Sequence, residues 1–184
     1  MIPIPFAAGS LLVVIGWICF RLIAWRKTKS FCWKREAIQL LFLVNLLVIH
    51  RMTFHPFEKL NGQVQPLIFD IATAWPFRMN LIPFVNLLDY DSKRDLLLNL
   101  IGNTAMFIPT GIMTPLIYKK RNSFTKTVLT GFLMSLIIEI IQLPFAVRAS
   151  DVDDLILNTV GCLLGAGILW FIRGIKDRKK KVRE

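Results

Sequence analysis

The chain has 184 residues, 54% of them hydrophobic, and a mean hydropathy of +0.54. Its 23 Lys and Arg outnumber 12 Asp and Glu, giving a net charge of +11. Apolar segments run from end to end, which excludes a soluble domain with one anchor and indicates a single membrane domain. The cations cluster where apolar segments stop, so they argue against a nucleic-acid-binding face.

A helix needs roughly 20 apolar residues to cross ~30 Å of hydrocarbon. The first span is expected within residues 1–25, with Leu11 to Ile18 as its centre. Met1 to Ser10 has no basic leader, and Arg21, Arg26 and Lys27 follow the apolar run as in a stop-transfer segment, so no cleavable signal is expected. The second span is expected at residues 36–52, where Asn45 and His50 interrupt it. Residues 53–95 form the longest connection. Phe54-His55-Pro56-Phe57, Trp75-Pro76-Phe77 and Leu81-Ile82-Pro83-Phe84-Val85 are too apolar for open water, and their prolines rule out a spanning helix. Short helical or re-entrant pieces lying in the interface are expected there.

The third span covers Leu96 to Tyr118. Pro109 lacks a donor and crowds the carbonyl of Ala105, so this helix is expected to be internally broken, which could hinge a pocket. The fourth runs from Thr127 to Val147 and the fifth from Leu155 to Ile172, before a basic tail at residues 173–184. Asp154, Asn158, Gly161 and Gly165 fall on one face of the fifth, a polar and small stripe suited to close packing. The fold class is an all-α membrane protein, a bundle of five transmembrane helices with an interfacial or re-entrant external loop.

Three basic patches set the expected topology: Arg26 to Arg35, Lys119 to Lys126, and Arg173 to Arg183. Five spans place all three on one side, which the positive-inside rule makes cytoplasmic. The N-terminus is then expected outside and the C-terminus in the cytoplasm.

Polar residues inside the spans carry the functional signal. Glu139 lies in an apolar run, and an ionisable group at that depth costs about 2.5–3.5 kcal/mol even on the lenient insertion scale. Gln142 shares its helical face, and Asn99 with Asn103 and Asp154 with Asn158 repeat at four-residue spacing. At 1.5 Å per residue, Glu139 is expected about 12 Å below Val147, Asn103 about 10 Å below Leu96 and Asn158 about 5 Å below Leu155. Arg78, Asn80, Arg148, Asp151 and Asp153 can reach the same level from the connections. A polar pocket open to the outside is expected, with nothing comparable in the cytoplasmic half. Glu139 either pairs with Arg78 or Arg148 as structural glue or lines a cavity holding a headgroup or a proton.

Asp151 or Asp153 suits a helix cap. With Asp154 they could ligate a divalent cation, but Arg148 and the helix start compete for them, so no metal is expected. Cys19, Cys32 and Cys162 have neither C-x-x-C spacing nor a His-rich neighbourhood, which supports no disulfide, metal or other cofactor. His50 and His55 read as interfacial packing.

In chain order, Arg78-x-Asn80-Leu81-x-Pro83-Phe84, Asn99-x-x-x-Asn103-x-x-x-Phe107-x-Pro109-x-Gly111, Ser135-x-x-x-Glu139-x-x-Gln142 and Asp151-x-Asp153-Asp154-x-x-x-Asn158-x-x-Gly161-x-x-x-Gly165 together resemble the VanZ-like family. The resemblance covers residues 78–165. It implies a bacterial membrane protein associated with glycopeptide resistance, teicoplanin especially, or with envelope homeostasis. Expected partners are a membrane lipid, a lipid-linked cell-wall precursor or the lipoglycopeptide itself. Arg78 and Arg148 would meet phosphate or carboxylate. Asn80, Asn99, Asn103, Gln142 and Asn158 would add neutral hydrogen bonds, and Glu139 a counter-charge or proton site. Two other readings stand beside this one: an intramembrane enzyme using Glu139 or Asp154 as acid/base, and a structural scaffold. No paired nucleophile and base stand at recognisable spacing.

Overall fold

Five helices, each long and apolar enough to cross a membrane, dominate the computed structural model: α1 (Phe6–Thr28), α2 (Trp33–Phe54), α3 (Lys93–Ile117), α4 (Phe124–Gln142) and α5 (Val152–Lys181). The structure describes residues 1–28, 32–55, 59–60, 62–76, 78–85, 92–118, 122–145 and 150–181. Their outward Leu, Ile and Phe side chains are the surface that lipid would cover. Local signals set the ends. Ser92 accepts the Arg94 N–H through its Oγ at 3.1 Å, satisfying one orphan donor of α3. Arg178 to Lys181 fill the last turn of α5, where cations suit the helix dipole.

Helices α3, α4 and α5 pack closest, and Ile49 of α2 joins the core they form. Gly161 and Gly165 of α5 lie so close to α3 that a Cβ on either would overlap the carbonyl of Thr104 or Ile108. Gly111 answers from α3, where a Cβ would overlap the Cys162 carbonyl, and Gly131 of α4 meets the Cys162 side chain in the same way. The small-residue stripe therefore serves packing within the chain. Phe107 and Cys162, both fully buried, sit at the centre.

Two expectations need correction. The third span is one continuous helix through Pro109 and Pro115. Each proline removes a single ladder bond, and the close wall of α5 holds the helix on course. The second span is longer than residues 36–52 because Asn45 and His50 do not interrupt it. Both are buried, and Asn45 spends its amide inside the protein, donating to the Met106 carbonyl at 2.8 Å and accepting from Thr110 Oγ1 at 2.8 Å.

Among its described residues, the long connection holds short strands and a 3-10 turn, Ile71–Ala74, capped by Asp70. Strand β1 (Ile2–Ile4) pairs antiparallel with β4 (Leu67–Phe69), and β2 (Lys59–Leu60) pairs with β3 (Gln63–Val64). Strand β5 (Met79–Asn80) pairs parallel with β6 (Ser150–Asp151). Strands satisfy backbone groups between segments where Pro3, Pro66 and Pro76 disfavour helix. Trp75, Leu81, Ile82 and Phe84 remain exposed along this connection. The pairings bring the N-terminal strand, the long connection and the α4–α5 junction to one end of the bundle.

Candidate functional site

At that end α4 stops at Gln142, only three residues beyond Glu139. Glu139 therefore lies about 5 Å from its helix end, not 12 Å below Val147. A turn follows, in which Phe145 N–H bonds to the Gln142 carbonyl at 3.0 Å and Asp70 N–H to that of Pro144 at 2.8 Å. By the same rise, Asn103 is about 15 Å from the start of α3 and Asn158 about 9 Å from the start of α5.

Glu139 is buried, and its Oε2 accepts two hydrogen bonds, from Ser150 Oγ at 3.0 Å and from the Asp151 N–H at 3.0 Å. Both donors belong to β6, whose pairing with β5 is reinforced where Ser150 N–H meets the Arg78 carbonyl at 3.0 Å. Asp151 carries the network onward. Its Oδ1 accepts from the Asp153 N–H at 2.9 Å, capping α5, and from Asn80 Nδ2 at 3.3 Å. Asp153 is buried and takes the Phe84 N–H on both oxygens, at 2.8 and 3.1 Å. Phe84 has φ of 66°, a sparsely populated conformation for a bulky residue, which this clamp holds in place. Asp154 accepts from Asn103 Nδ2, joining α5 to α3.

Glu139, Ser150 and Asp151 also line a cavity of about 90 Å³, closed by Leu81, Leu143 and Leu155. That volume suits a small polar group or a few waters; ligand pockets for whole drug-sized molecules are roughly 300–1,000 Å³. The arrangement is an acidic end-cap: four carboxylates tied to amides, a hydroxyl and backbone N–H groups from α3, α4, α5 and the long connection. Among the described residues no three His, Cys, Asp or Glu side chains are grouped to hold a metal ion.

The other expected residues fall in different places. Asn158 is fully buried and donates to Ser135 Oγ at 2.9 Å, deeper between α4 and α5. Gln142 turns towards α2, where Nε2 donates to the Thr53 carbonyl at 2.7 Å. Asn99 is half-buried one turn above Asn103. Arg78 enters the network through its carbonyl while its side chain is exposed. Arg148 lies outside the described residues.

Two participants had a weaker signal. Ser150, a donor to Glu139, stands beside the Asp run in the α4–α5 connection. The Asn45–Thr110 contact was visible in sequence only as an interruption of the second span, and with buried Gln39 it shows that buried polar groups are not confined to the end of the bundle that holds Glu139.

A family model described as VanZ/LLP1 matches residues 10–173. The chain is similar to Protein VanZ of Enterococcus faecium, 35% identical over 81 residues, which make up 44% of this chain and 50% of that protein. It thus spans about half the length of this curated relative. No solved structure matches it.

Proposed function

This chain belongs to the VanZ/LLP1 family, and from that premise we propose a multi-pass protein of the bacterial plasma membrane that contributes to teicoplanin-type resistance or to envelope homeostasis. Its acidic end-cap faces outwards and engages the polar part of an amphiphile: a lipid, a lipid-linked wall precursor or the lipoglycopeptide. The orientation is supported by the basic patches, which in the sequence follow α1 and α3 and close α5, whereas the acidic end-cap lies where α4 ends and α5 begins.

One observation carries the reading. Glu139 is buried near the end of a membrane helix, yet it also lines a cavity together with Ser150 and Asp151. A carboxylate needed only to join helices gains nothing from an adjoining void, whereas a counter-charge or proton site needs access. Arg78 and Arg148 flank the site in sequence and would meet phosphate or carboxylate on the ligand.

The rival reading is structural glue, favoured by the two hydrogen bonds on Oε2. Glu139→Gln separates them. The amide oxygen still accepts from Ser150 and Asp151, so the helix junction is preserved while the charge is lost. Expressed in a susceptible host, the variant should return teicoplanin tolerance to the empty-vector level, with membrane insertion and melting temperature unchanged. Wild-type tolerance in Glu139→Gln, beside collapse of the Glu139→Leu protein, would establish glue instead.

A further inference from the structure

A second site lies on the other side of α3 and shares no lining residue with the Glu139 cavity. Helices α2 and α3 meet at Asn45, Met106 and Thr110, but between them runs a groove of about 1030 Å³. Its walls are almost wholly apolar, with Leu98, Ala105, Pro109 and Met113 on α3 facing Leu41 and Met52 on α2. The void is at the top of the roughly 300–1,000 Å³ range for ligand pockets. An empty apolar trench of this size does not persist in a bilayer; a hydrocarbon chain fills it.

Register shows how the groove is placed. The Met52 side chain reaches Gly102, within 3.3 Å of where a Cβ would stand, and Asn45 meets Met106 and Thr110. The helices are therefore antiparallel, and α2 ends at Phe54, level with about Leu100. The first turns of α3 project beyond it by about 10 Å. Arg94, which lines the mouth of the groove, and exposed Lys93 stand on that projection. Cations thus sit at headgroup height above an apolar trench. A guanidinium there offers a phosphate a bidentate fork.

Length narrows the occupant. From Arg94 to Met113 the wall of α3 rises by about 28 Å. A tail confined to one leaflet reaches through only half of the ~30 Å hydrocarbon core. The groove passes that depth and continues to Met113 and Leu41. We propose that it holds the single long chain of a polyprenyl phosphate, with the phosphate on Arg94. The assignment is independent of Glu139.

Native mass spectrometry of the full chain in lipid nanodiscs tests it, with undecaprenyl phosphate, farnesyl phosphate and dioleoyl phosphatidylglycerol competing at equal concentration. Undecaprenyl phosphate should be retained about tenfold over both, a margin of ~1.4 kcal/mol. Ala105→Trp fills the exposed groove without entering the core and should abolish the preference; Leu98→Trp does so at another height should the first variant fail to fold. Arg94→Gln should weaken retention about tenfold and Arg94→Lys less, as loss of a charge-assisted fork predicts. Gly167→Leu, outside both cavities and with open space at its Cβ position, should leave retention unchanged. Equal retention of phosphatidylglycerol, preference surviving both Trp variants, or loss only in Glu139→Gln would overturn the proposal.

Discussion

Towards α5, helix α3 packs on glycines so tightly that a methyl group would overlap the Thr104 and Ile108 carbonyls. Towards α2 it is pinned by one buried amide, Asn45, with Ile49 and Met52 packed beside it, and a groove opens alongside. The contrast follows from the solvent. Lipid tails are as apolar as Leu, so burying one Leu against another gains little in a membrane. Helices are held either by backbones close enough for dense van der Waals contact or by polar groups with no better partner. This chain uses both devices between α3 and α5, where the Asn103–Asp154 bond adds to the glycine contacts. No glycine contact of that kind draws α2 in, and there a groove is left with room for a lipid.

The largest expected effect breaks the tight side. Gly161→Leu or Gly165→Leu must push α5 off α3, because the obstructing atoms are backbone and cannot rotate away. Overpacking of this kind costs about 1–3 kcal/mol, and occasionally more. Folded protein should be largely lost in a detergent melting assay. Gly167→Leu is the control, since no atom lies within 4 Å of its Cβ position. A wild-type melting curve for Gly161→Leu would show that the close contact is not a determinant of stability.

A middle-sized effect probes the loose side. Thr110 Oγ1 donates to Asn45 Oδ1 while Asn45 Nδ2 holds the Met106 carbonyl, so the two side chains act as one clasp. A cycle of Asn45→Leu and Thr110→Val should give a coupling of about 0.6 kcal/mol, with ~1.7 as the ceiling for such membrane bonds. SDS-titrated unfolding measures it. Zero coupling would mean that α2 is held by something other than the clasp.

The two sides were unequally legible in the sequence. Five spans and the stripe Asp154, Asn158, Gly161, Gly165 follow from apolar length and periodicity, and both appear in the structure. Asn45 read as a flaw in its span, because one residue does not reveal that its partners wait sixty residues away on α3. Pro109 was expected to break a helix whose neighbours instead keep it whole. At the polar end, the expected acids meet Asn80 and Asn103, whereas Gln142 and Asn158, expected beside them, bond elsewhere. Gln142 shares a helical face with Glu139 and yet bonds to α2, since it lies at the very end of α4 where Thr53 offers a carbonyl. Side-chain reach near a helix end is set by tertiary neighbours, which periodicity does not encode.

The smallest effect belongs to α1, the least embedded helix, with 6% of its apolar window buried against 33% for α5. It touches α2 through the Phe6 ring, stacked on His50 at 5.8 Å between centroids, and through the Arg21–Glu36 ion pair. Arg21→Ala leaves Glu36 with Arg35, 3.7 Å away, so the carboxylate is not stranded. The loss should stay within ~1 kcal/mol, the usual scale for a partly exposed pair. Glu36→Ala should cost more, because it leaves Arg21 facing Arg35 with their shared anion gone. If Arg21→Ala instead unfolds the bundle as thoroughly as Gly161→Leu, α1 is part of the core, and the division between a glycine-packed centre and a lightly attached flank has to be redrawn.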